Sequence, residues 1–363
     1  MKKNTLSACS GCMACKKVCP KNCISIKENG KGFVRDIDGS VCIGCKKCEK
    51  VCHIMHQNLR HPVKAYVAKS KNPSVQRNSA SGGIAAAIYE YCLDHKICCV
   101  GVRYNSKMQA YYDFIKNKEE IRKFSGSKYV YSHMEDIYAE VLERIQKDKK
   151  VVFIGLPCHV MAMRNYLGND CKNILYIDIV CHGVCSEKIL KEHLVNVCGD
   201  KINRISNVLF RELNNQYGIT VRDKNNKLIV KKDRYNDEYM IGYCNEITYL
   251  EECYHCKYAR PDRSGDLTIK DHAGEIIKEF QGDRNGLSDI LVNTKKGKDF
   301  LGLMEEYIYM ERYPVQKVLL QDERLRFPTP YKLRRRLYNL LRTRLGFERT
   351  INILFCLKIW KGK

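Results

Sequence analysis

Long hydrophobic runs are missing from this sequence. Its apolar stretches, such as residues 151–154 and 174–180, are too short to span a bilayer. The first ten residues, MKKNTLSACS, hold no apolar segment resembling a secretory signal. Although 21 of the 363 residues are cysteines, disulfide scaffolds are typically short secreted chains. We therefore expect a reduced, cytoplasmic protein.

Acidic residues are scarce relative to basic ones, with 41 Asp and Glu against 64 Lys and Arg and a formal net charge of +23. Nearly half of this excess lies in residues 324–363, which contain twelve basic residues and one acid, Glu348. The basic residues are not interleaved with stacking aromatics, so we expect no nucleic-acid partner. A positive surface instead favours acidic ferredoxins, anionic cofactors or anionic lipids.

A repeated cysteine spacing is the most informative feature of the chain. The first repeat is Cys9, Cys12, Cys15 and Cys19, followed by Pro20, and the second is Cys42, Cys45, Cys48 and Cys52. Three thiolates at steps of three residues can hold one four-iron cluster, while the fourth reaches the other cluster. The alternative is structural zinc, which usually takes two ligands from each of two loops. The sequence predicts two 4Fe-4S clusters with crossed ligands, one held by Cys9, Cys12, Cys15 and Cys52, the other by Cys19, Cys42, Cys45 and Cys48.

The chain divides into four predicted regions. Residues 1–60 form a ferredoxin-type module with a β-hairpin between its two cysteine repeats. Residues 62–145 and 146–330 alternate strand and helix patterns, and residues 331–363 form a basic helical tail. The predicted fold class is α+β: a two-cluster ferredoxin-like module, a mixed α/β flavoprotein-like region and the tail.

Small residues precede a predicted helix at residues 84–91. The turn ends in Ser81, Gly82 and Gly83, and free amides at a helix start can bind a phosphate while glycines allow close approach. Serine is also an ordinary helix cap and glycine an ordinary turn residue, so capping is the alternative explanation.

Cysteines also follow two predicted strands. Residues 151–154 lead through Gly155 to Cys158, residues 174–180 lead to Cys181, and a helix follows each. Neighbouring parallel strands would place both cysteines at one sheet edge. A Cys-x-x-Cys motif further along the chain adds two more thiolates, which makes four. We therefore predict a third 4Fe-4S cluster, and the alternative is a dithiol or zinc site. Its ligands would be Cys158, Cys181, Cys253 and Cys256. The other cysteines are interpreted as packing or surface residues: Cys23, Cys92, Cys98, Cys99, Cys171, Cys185, Cys198, Cys244 and Cys356.

Six motifs in this order, behind the two-cluster module, resemble the family of beta subunits of coenzyme F420 hydrogenases and dehydrogenases. They are Ser81-Gly82-Gly83, Ser127-Lys128-Tyr129-Val130, Gly155-Leu156-Pro157-Cys158, Cys181-His182-Gly183, Cys253-x-x-Cys256 and Gly265-Asp266-Leu267. The resemblance covers about residues 1–330. It implies an iron-sulfur flavoprotein of an anaerobe, in which FAD passes electrons between a ferredoxin or partner subunit and a hydride-carrying coenzyme, F420 or a nicotinamide. The alternative is an electron-wiring subunit without its own substrate site.

The resemblance also implies roles for individual residues. FAD would lie near the Ser81 to Gly83 turn and near Gly155, because a flavin converts single electrons to hydride and must adjoin a cluster. Lys128 would contact an FAD phosphate or stabilise the reduced flavin, with a solvated loop lysine as the alternative.

This chain departs from the family pattern at residues 270–274, which read KDHAG where relatives tend to have Gly-Asp-aromatic-Trp-Gly. The added lysine would favour a phosphate-bearing partner, and the alternative is that the segment is only a surface turn. His272 is a candidate proton donor, although a lone histidine is more often structural.

The tail lies outside the resemblance. Its leucines recur at helical spacing with arginines between them, which predicts a basic amphipathic helix, and residues 351–360 would extend it to Trp360. The leucines are Leu333, Leu337, Leu340, Leu341 and Leu345. Such a helix would dock on an acidic partner or peripherally on the anionic inner face of the membrane, or would pack against its own domain.

Overall fold

The computed structural model describes residues 6–168, 171–212, 216–281 and 286–359. Its N-terminal module contains β1 (Leu6–Cys9), α1 (Ala14–Lys17), β2 (Ile24–Glu28), β3 (Phe33–Ile37) and α2 (Lys47–Lys50). The strands form an antiparallel sheet of order β1-β3-β2, and the predicted hairpin is confirmed because Ile24 pairs with Ile37. The cysteine duplication extends to the backbone, since α1 and α2 each follow a left-handed residue, Met13 or Lys46.

The remaining strands follow in chain order. They are β4 (Lys64–Ser70), β5 (Cys98–Tyr104), β6 (Ala110–Phe114), β7 (Ser132–His133), β8 (Val151–Gly155), β9 (Ile174–Ile179), β10 (Ile205–Glu212), β11 (Gln216–Asp223), β12 (Leu228–Asp233), β13 (Leu267–Asp271), β14 (Ser288–Val292) and β15 (Ile308–Tyr313).

The remaining helices surround these strands. They are α3 (Pro73–Arg77), α4 (Ile84–Asp94), α5 (Ile121–Phe124), α6 (Ile137–Gln146), α7 (Pro157–Leu167), α8 (Glu187–Cys198), α9 (Glu238–Cys244), α10 (Lys295–Gly302), α11 (Val315–Gln321), α12 (Leu333–Leu345) and α13 (Phe347–Ile359).

A nine-stranded mixed sheet of order β15-β4-β14-β13-β9-β8-β5-β6-β7 organises the main body. Its centre is parallel: β8 pairs with β9 through Val151 and Ile174, as the strand patterns predicted, and β5 and β13 run the same way. Strands from residues 62–145 and from 146–330 thus share one sheet. The carboxyl ends of β8, β9 and β13 consequently meet at one edge, where open α/β sheets place ligands.

Both faces of this sheet are covered, so its central strands alternate between two hydrophobic clusters. Ile154 and Ile177 pack with Ile88 of α4 on one face. Phe153 and Tyr176 pack with α6 and α7 on the other. All five residues of β8 are buried, as expected for a parallel strand enclosed on both sides.

The tail forms two helices, α12 and α13, separated by Gly346 at φ 76°. Together with the small antiparallel sheet β10-β11-β12, they enclose a core in which Tyr338, Phe347 and Ile351 are fully buried. Of the leucines predicted to form the apolar face, Leu341 packs against this core, whereas Leu333 and Leu340 are 70% and 68% exposed. Trp360 lies outside the described residues. Among those described, no helix combines the length and apolarity that crossing a membrane demands.

Candidate metal centres and an adjoining cleft

Four cysteines meet in the core of the N-terminal module, and we call them the first site: Cys9, Cys12, Cys15 and Cys52. Each is 6–8% exposed. Burial raises the pKa of Cys9, Cys12 and Cys15 to about 12, and the charge of Cys52 adds to all three shifts. The second repeat thus contributes its last cysteine to the first repeat's loop, in the arrangement that crossed ligation requires.

A positive backbone angle allows this loop to turn. Gly11 has φ 73°, and a Cβ there would lie 2.6 Å from the ring of Phe33. Glycine is required at this position both for its conformation and for the close approach of β3.

The other four cysteines of the repeats line a small depression, and we call them the second site: Cys19, Cys42, Cys45 and Cys48. Cys42 and Cys45 are exposed, so this site lies at the surface. A fifth cysteine joins them, because Cys23 lines the same depression with its Sγ 3.4 Å from that of Cys19. Cys23, interpreted from the sequence as a packing or surface residue, packs partly buried against the core and also lines this depression.

Cysteines from three separate segments form the third site: Cys158, Cys181, Cys253 and Cys256. Cys158 is the second residue of α7, directly after β8, and Cys181 follows β9, so the parallel pairing of these strands brings the two together. Burial raises the pKa of Cys158 well above its usual value, and the charges of the other three thiols raise it further. The predicted four cysteines therefore do converge.

The donor atoms indicate which group fits these sites. Throughout the described residues, no three cysteine sulfurs lie within 4.8 Å of one another. A tetrahedral zinc ion with Zn–S bonds of about 2.3 Å holds its thiolates roughly 3.8 Å apart. Thiols are the only donors at each site, a donor set that suits a metal-sulfide cluster.

The three sites follow one another through the protein. Cys181 of the third site lines a cleft. The charge of Cys12 contributes to the raised pKa of Cys158, after burial and the other thiols of the third site, so the first and third sites adjoin. The charge of Cys48 also raises the pKa of Cys15, although burial, Cys12 and Cys52 raise it more. The first and second sites therefore adjoin as well. The order is cleft, third site, first site, second site and surface.

Hydrogen bonds fix the N-terminal module on the main body. The hydroxyl of Tyr131 donates to the carbonyl oxygen of Gly11 at 2.6 Å, and that of Tyr138 donates to the carbonyl oxygen of Cys12 at 2.8 Å. His53 lies 2.8 Å from the hydroxyl of Tyr258 through Nδ1. The first site is thereby held against the segments that carry the third.

The cleft has a volume of about 270 Å³ and opens at the carboxyl edge of the large sheet. Of the residues predicted to bind a cofactor, Ser81, Gly83, Lys128 and Gly155 line it. Gly82 is not among the described residues that line the cleft. Its amide donates to Ser288 Oγ at 3.1 Å, and a Cβ at this position would lie 2.6 Å from a backbone carbonyl oxygen.

Helix α4 begins at the cleft with Gly83 as its N-cap, and no side-chain cap is found among the described residues. The hydroxyl of Ser81 instead donates to the carbonyl oxygen of Leu287. Ser81 therefore does not cap α4, whereas Gly83 takes the N-cap position as an ordinary turn glycine would. Ile84 and Ala85, the first residues of this eleven-residue helix, line the cleft, where the helix dipole favours an anion.

Lys128 is tied to its own loop. Its ammonium donates to the carbonyl oxygens of Phe124, Ser125 and Gly126 at 3.1–3.3 Å. Burial of the ammonium lowers the pKa of Lys128 to about 7. The structure thus holds the Lys128 side chain at the cleft wall, partly buried and bound to its own loop.

The altered segment at residues 270–274 is also partly in the cleft. Lys270 lines it and lies 3.0 Å from Asp289. His272 is not among the described lining residues, and its two ring nitrogens contact Asp289 Oδ1 at 2.7 Å and the carbonyl oxygen of Glu275 at 3.1 Å. Burial alone would lower the pKa of His272, but the carboxylate of Asp289 outweighs it and the pKa is raised.

Sequence reasoning missed the buried ion pair that positions the loop after the third site. Arg263 and Asp178 lie 3.0 Å apart and are 1% and 0% exposed. Asp178 also accepts the amides of Ser264 and Gly265 at 2.8 and 2.9 Å. An acidic residue within the apolar strand β9 was the only signal for it.

Comparisons with known proteins give a consistent family. The N-terminal and C-terminal family models of the coenzyme F420 hydrogenase/dehydrogenase beta subunit match residues 65–138 and 148–317, and a 4Fe-4S dicluster domain matches residues 8–78. The chain belongs to the family of coenzyme F420 hydrogenase/dehydrogenase beta subunits and carries an N-terminal dicluster domain. It is thus an iron-sulfur electron-transfer protein related to these subunits.

Two known proteins are similar to this chain. The chain is 24% identical over 209 residues to one of the subunits of F(420)H(2) dehydrogenase from Methanosarcina mazei, a match that spans 52% of this chain and 59% of that protein. In structure it is similar to a chain of the F420-reducing [NiFe] hydrogenase complex of Methanosarcina barkeri, with a TM-score of 0.50, 15% identity and coverage of 74% and 90% of the two chains. The second likeness concerns the fold alone.

Proposed function

We propose that the chain is an iron-sulfur flavoprotein oxidoreductase, or the electron-entry subunit of one, that relays electrons between a ferredoxin-type donor or acceptor and a hydride-carrying coenzyme. The observation that carries the proposal is the unbroken order of thiol sites from the exposed second site to the cleft. Each site adjoins the next closely enough for their charges to interact.

A third 4Fe-4S cluster at Cys158, Cys181, Cys253 and Cys256 completes this relay. Without it, the first site and the cleft have no redox centre between them. Four converging thiols support it.

FAD is the group we propose for the cleft, where it would convert single electrons into hydride. This chain's own residues suit an anionic cofactor there. The amides of Ile84 and Ala85 at the start of α4 would bind a phosphate. Lys128 would supply a positive charge at the cleft wall. Gly155 also lines the cleft, where a side chain would clash with the hydroxyl of Tyr112.

The hydride carrier is proposed to be F420 or a nicotinamide coenzyme. The family description and the name of the Methanosarcina mazei relative support F420. Lys270, which replaces a glycine of the family pattern, lines the cleft and would pair with a phosphate of either coenzyme. His272 stays a proposal as proton donor, although its contacts with Asp289 and Glu275 favour a structural role.

A wiring subunit without its own substrate site is the second candidate. The exposed position of Cys42 and Cys45 suits either function, because both need contact with a redox partner. Bound flavin separates them. We expect oxygen-free purification to give about one FAD per chain and stopped-flow mixing to show flavin reduction by reduced ferredoxin, NADH, NADPH or reduced F420. Clusters without FAD, even after reconstitution, would establish the wiring subunit.

The third cluster has its own measurement. Three 4Fe-4S clusters give about twelve irons per chain, and Cys256→Ser is expected to remove about four of them. Cys244→Ser, a cysteine outside all three sites, is the matched control and should leave the count unchanged. A wild-type count near eight that does not change in Cys256→Ser would eliminate the third cluster.

We also propose that the tail docks on the anionic inner face of the membrane. Leu333, Leu337 and Leu340 occupy one exposed stripe of α12, and the exposed Arg336 and Arg344 lie beside it. A stripe of leucines flanked by arginines suits the interface of an anionic bilayer.

A further inference from the structure

One buried cation in the N-terminal module has no protein partner that explains it. Arg35 is 3% exposed, and its Nε and Nη1 have no hydrogen-bond partner among the described residues. Nor does any described carboxylate lie within ion-pair distance of it. Burying a charge without a counter-charge is strongly unfavourable, so a group of negative charge belongs beside it.

The position of Arg35 on β3 indicates where that charge is. Successive side chains of a strand alternate between its faces, so Phe33, Arg35 and Ile37 share one face. Phe33 packs with Cys9 of the first site, and Ile37 lines the second site. Arg35 lies between them and therefore faces the space between the two sites.

The charges of the thiols give the same placement. Burial and Cys12 raise the pKa of Cys15, and Arg35 opposes this rise. Burial also raises the pKa of Cys48, and Arg35 again opposes it. One guanidinium thus acts on a ligand position of the first site and on one of the second.

We propose that Arg35 is the shared counter-charge of the two clusters of the N-terminal module and makes both of them easier to reduce. This inference rests on occupation of the first and second sites by 4Fe-4S clusters. Reduction adds one negative charge to a cluster, and a fixed cation in a site of low dielectric stabilises the reduced form more than the oxidised form. Because the cation is shared, its loss shifts both midpoint potentials together.

The test is an EPR-monitored redox titration of the full chain, purified without oxygen, for wild type, Arg35→Leu and Arg35→Lys. We expect both midpoint potentials to become more negative in Arg35→Leu and to stay nearer the wild-type values in Arg35→Lys. Lys27→Leu is the matched control: it removes the same charge from an exposed position on the neighbouring strand β2, and its potentials should stay near wild type.

Several outcomes would overturn the inference. These are unchanged potentials in Arg35→Leu with the clusters intact, a shift confined to one cluster, or an equal shift in Lys27→Leu. If Arg35→Leu fails to assemble its clusters, Arg35→Gln replaces it, and potentials equal to those of Arg35→Lys would refute the role of charge. A wild-type protein that lacks iron at these sites would instead contradict the proposed function.

Discussion

The hydroxyl of Tyr131 donates a 2.6 Å hydrogen bond to the carbonyl oxygen of Gly11, across 120 residues of sequence. Tyr131 belongs to the main body and Gly11 to the loop of the first site, so this bond fixes the site relative to the third. A loop held by a rigid phenol keeps its distance to the thiols of the third site constant.

Removing this hydroxyl should loosen the first site. Tyr131→Phe leaves a buried carbonyl oxygen without its donor, which costs about 1–3 kcal/mol. We expect faster release of iron to a chelator and a lower unfolding temperature. Tyr235→Phe, at a tyrosine that is 71% exposed, is the control and should match wild type. Identical iron release in both variants would mean that the bond has no role in holding the site.

The fifth cysteine of the second site should be able to replace a ligand. Because the sulfurs of Cys19 and Cys23 are 3.4 Å apart, we expect Cys19→Ser to keep its second cluster through Cys23. The double variant Cys19→Ser/Cys23→Ser should lose about four irons per chain. Iron analysis and EPR spectra of the reduced proteins measure this. Loss of the cluster in Cys19→Ser alone would show that Cys23 cannot serve as a ligand.

Binding of FAD should depend on the protonation of Lys128. Burial lowers its pKa to about 7, so the free protein holds the charged form below pH 7 and loses it above. An anion favours the charged form, so the affinity for FAD should fall as pH rises above 7, by up to about tenfold per pH unit. Titration of the flavin-free protein from pH 6 to 9 measures this.

In Lys128→Met the affinity should be lower and nearly constant over the same range. Lys123→Met, at an exposed lysine of the neighbouring helix, should retain the wild-type pH dependence. If Lys128→Met retains it as well, another group is responsible.

Exposed leucines of α12 should determine membrane binding. Leu333→Ser/Leu340→Ser should lower co-sedimentation with phosphatidylglycerol vesicles at least tenfold, because each leucine that is buried contributes about 1.5–3 kcal/mol. Leu303→Ser/Leu320→Ser, at leucines 59% and 63% exposed elsewhere, is the matched control. Unchanged binding, or equal binding to neutral phosphatidylcholine vesicles, would exclude docking through this stripe. Deletion of residues 331–363 is less informative because it removes Tyr338 and Phe347 from the core.

The cysteine sites could be predicted from sequence because ligand spacing is a local property. The grouping of Cys52 with the first repeat, the hairpin and the parallel pairing of β8 with β9 follow from short patterns, and so does the convergence of Cys158 and Cys181. The position of Cys23 beside Cys19 could not be predicted, because the other cysteines at this depression come from the second repeat, which the spacing alone does not place.

Which side chains of α12 are buried could not be predicted from the sequence, for a different reason. Hydrophobicity alone turns the leucines inward, yet Arg335 is 2% exposed and Leu333 is 70% exposed. Arg335 can be buried because its Nη1 donates to the carbonyl oxygen of Ile247 at 2.8 Å and its guanidinium lies over the ring of Tyr254. These partners are over 75 residues away in sequence, so only the folded chain reveals them.

The cysteine sites differ in solvent exposure, which determines the order in which air would damage them. Cys42 and Cys45 are exposed, whereas the four thiols of the first site are 6–8% exposed. Dissolved oxygen reaches the outermost centre first, and its decay would cut the protein off from external electron carriers while the interior iron is still in place. A sample damaged in this way would retain much of its colour and still be unable to exchange electrons with a partner.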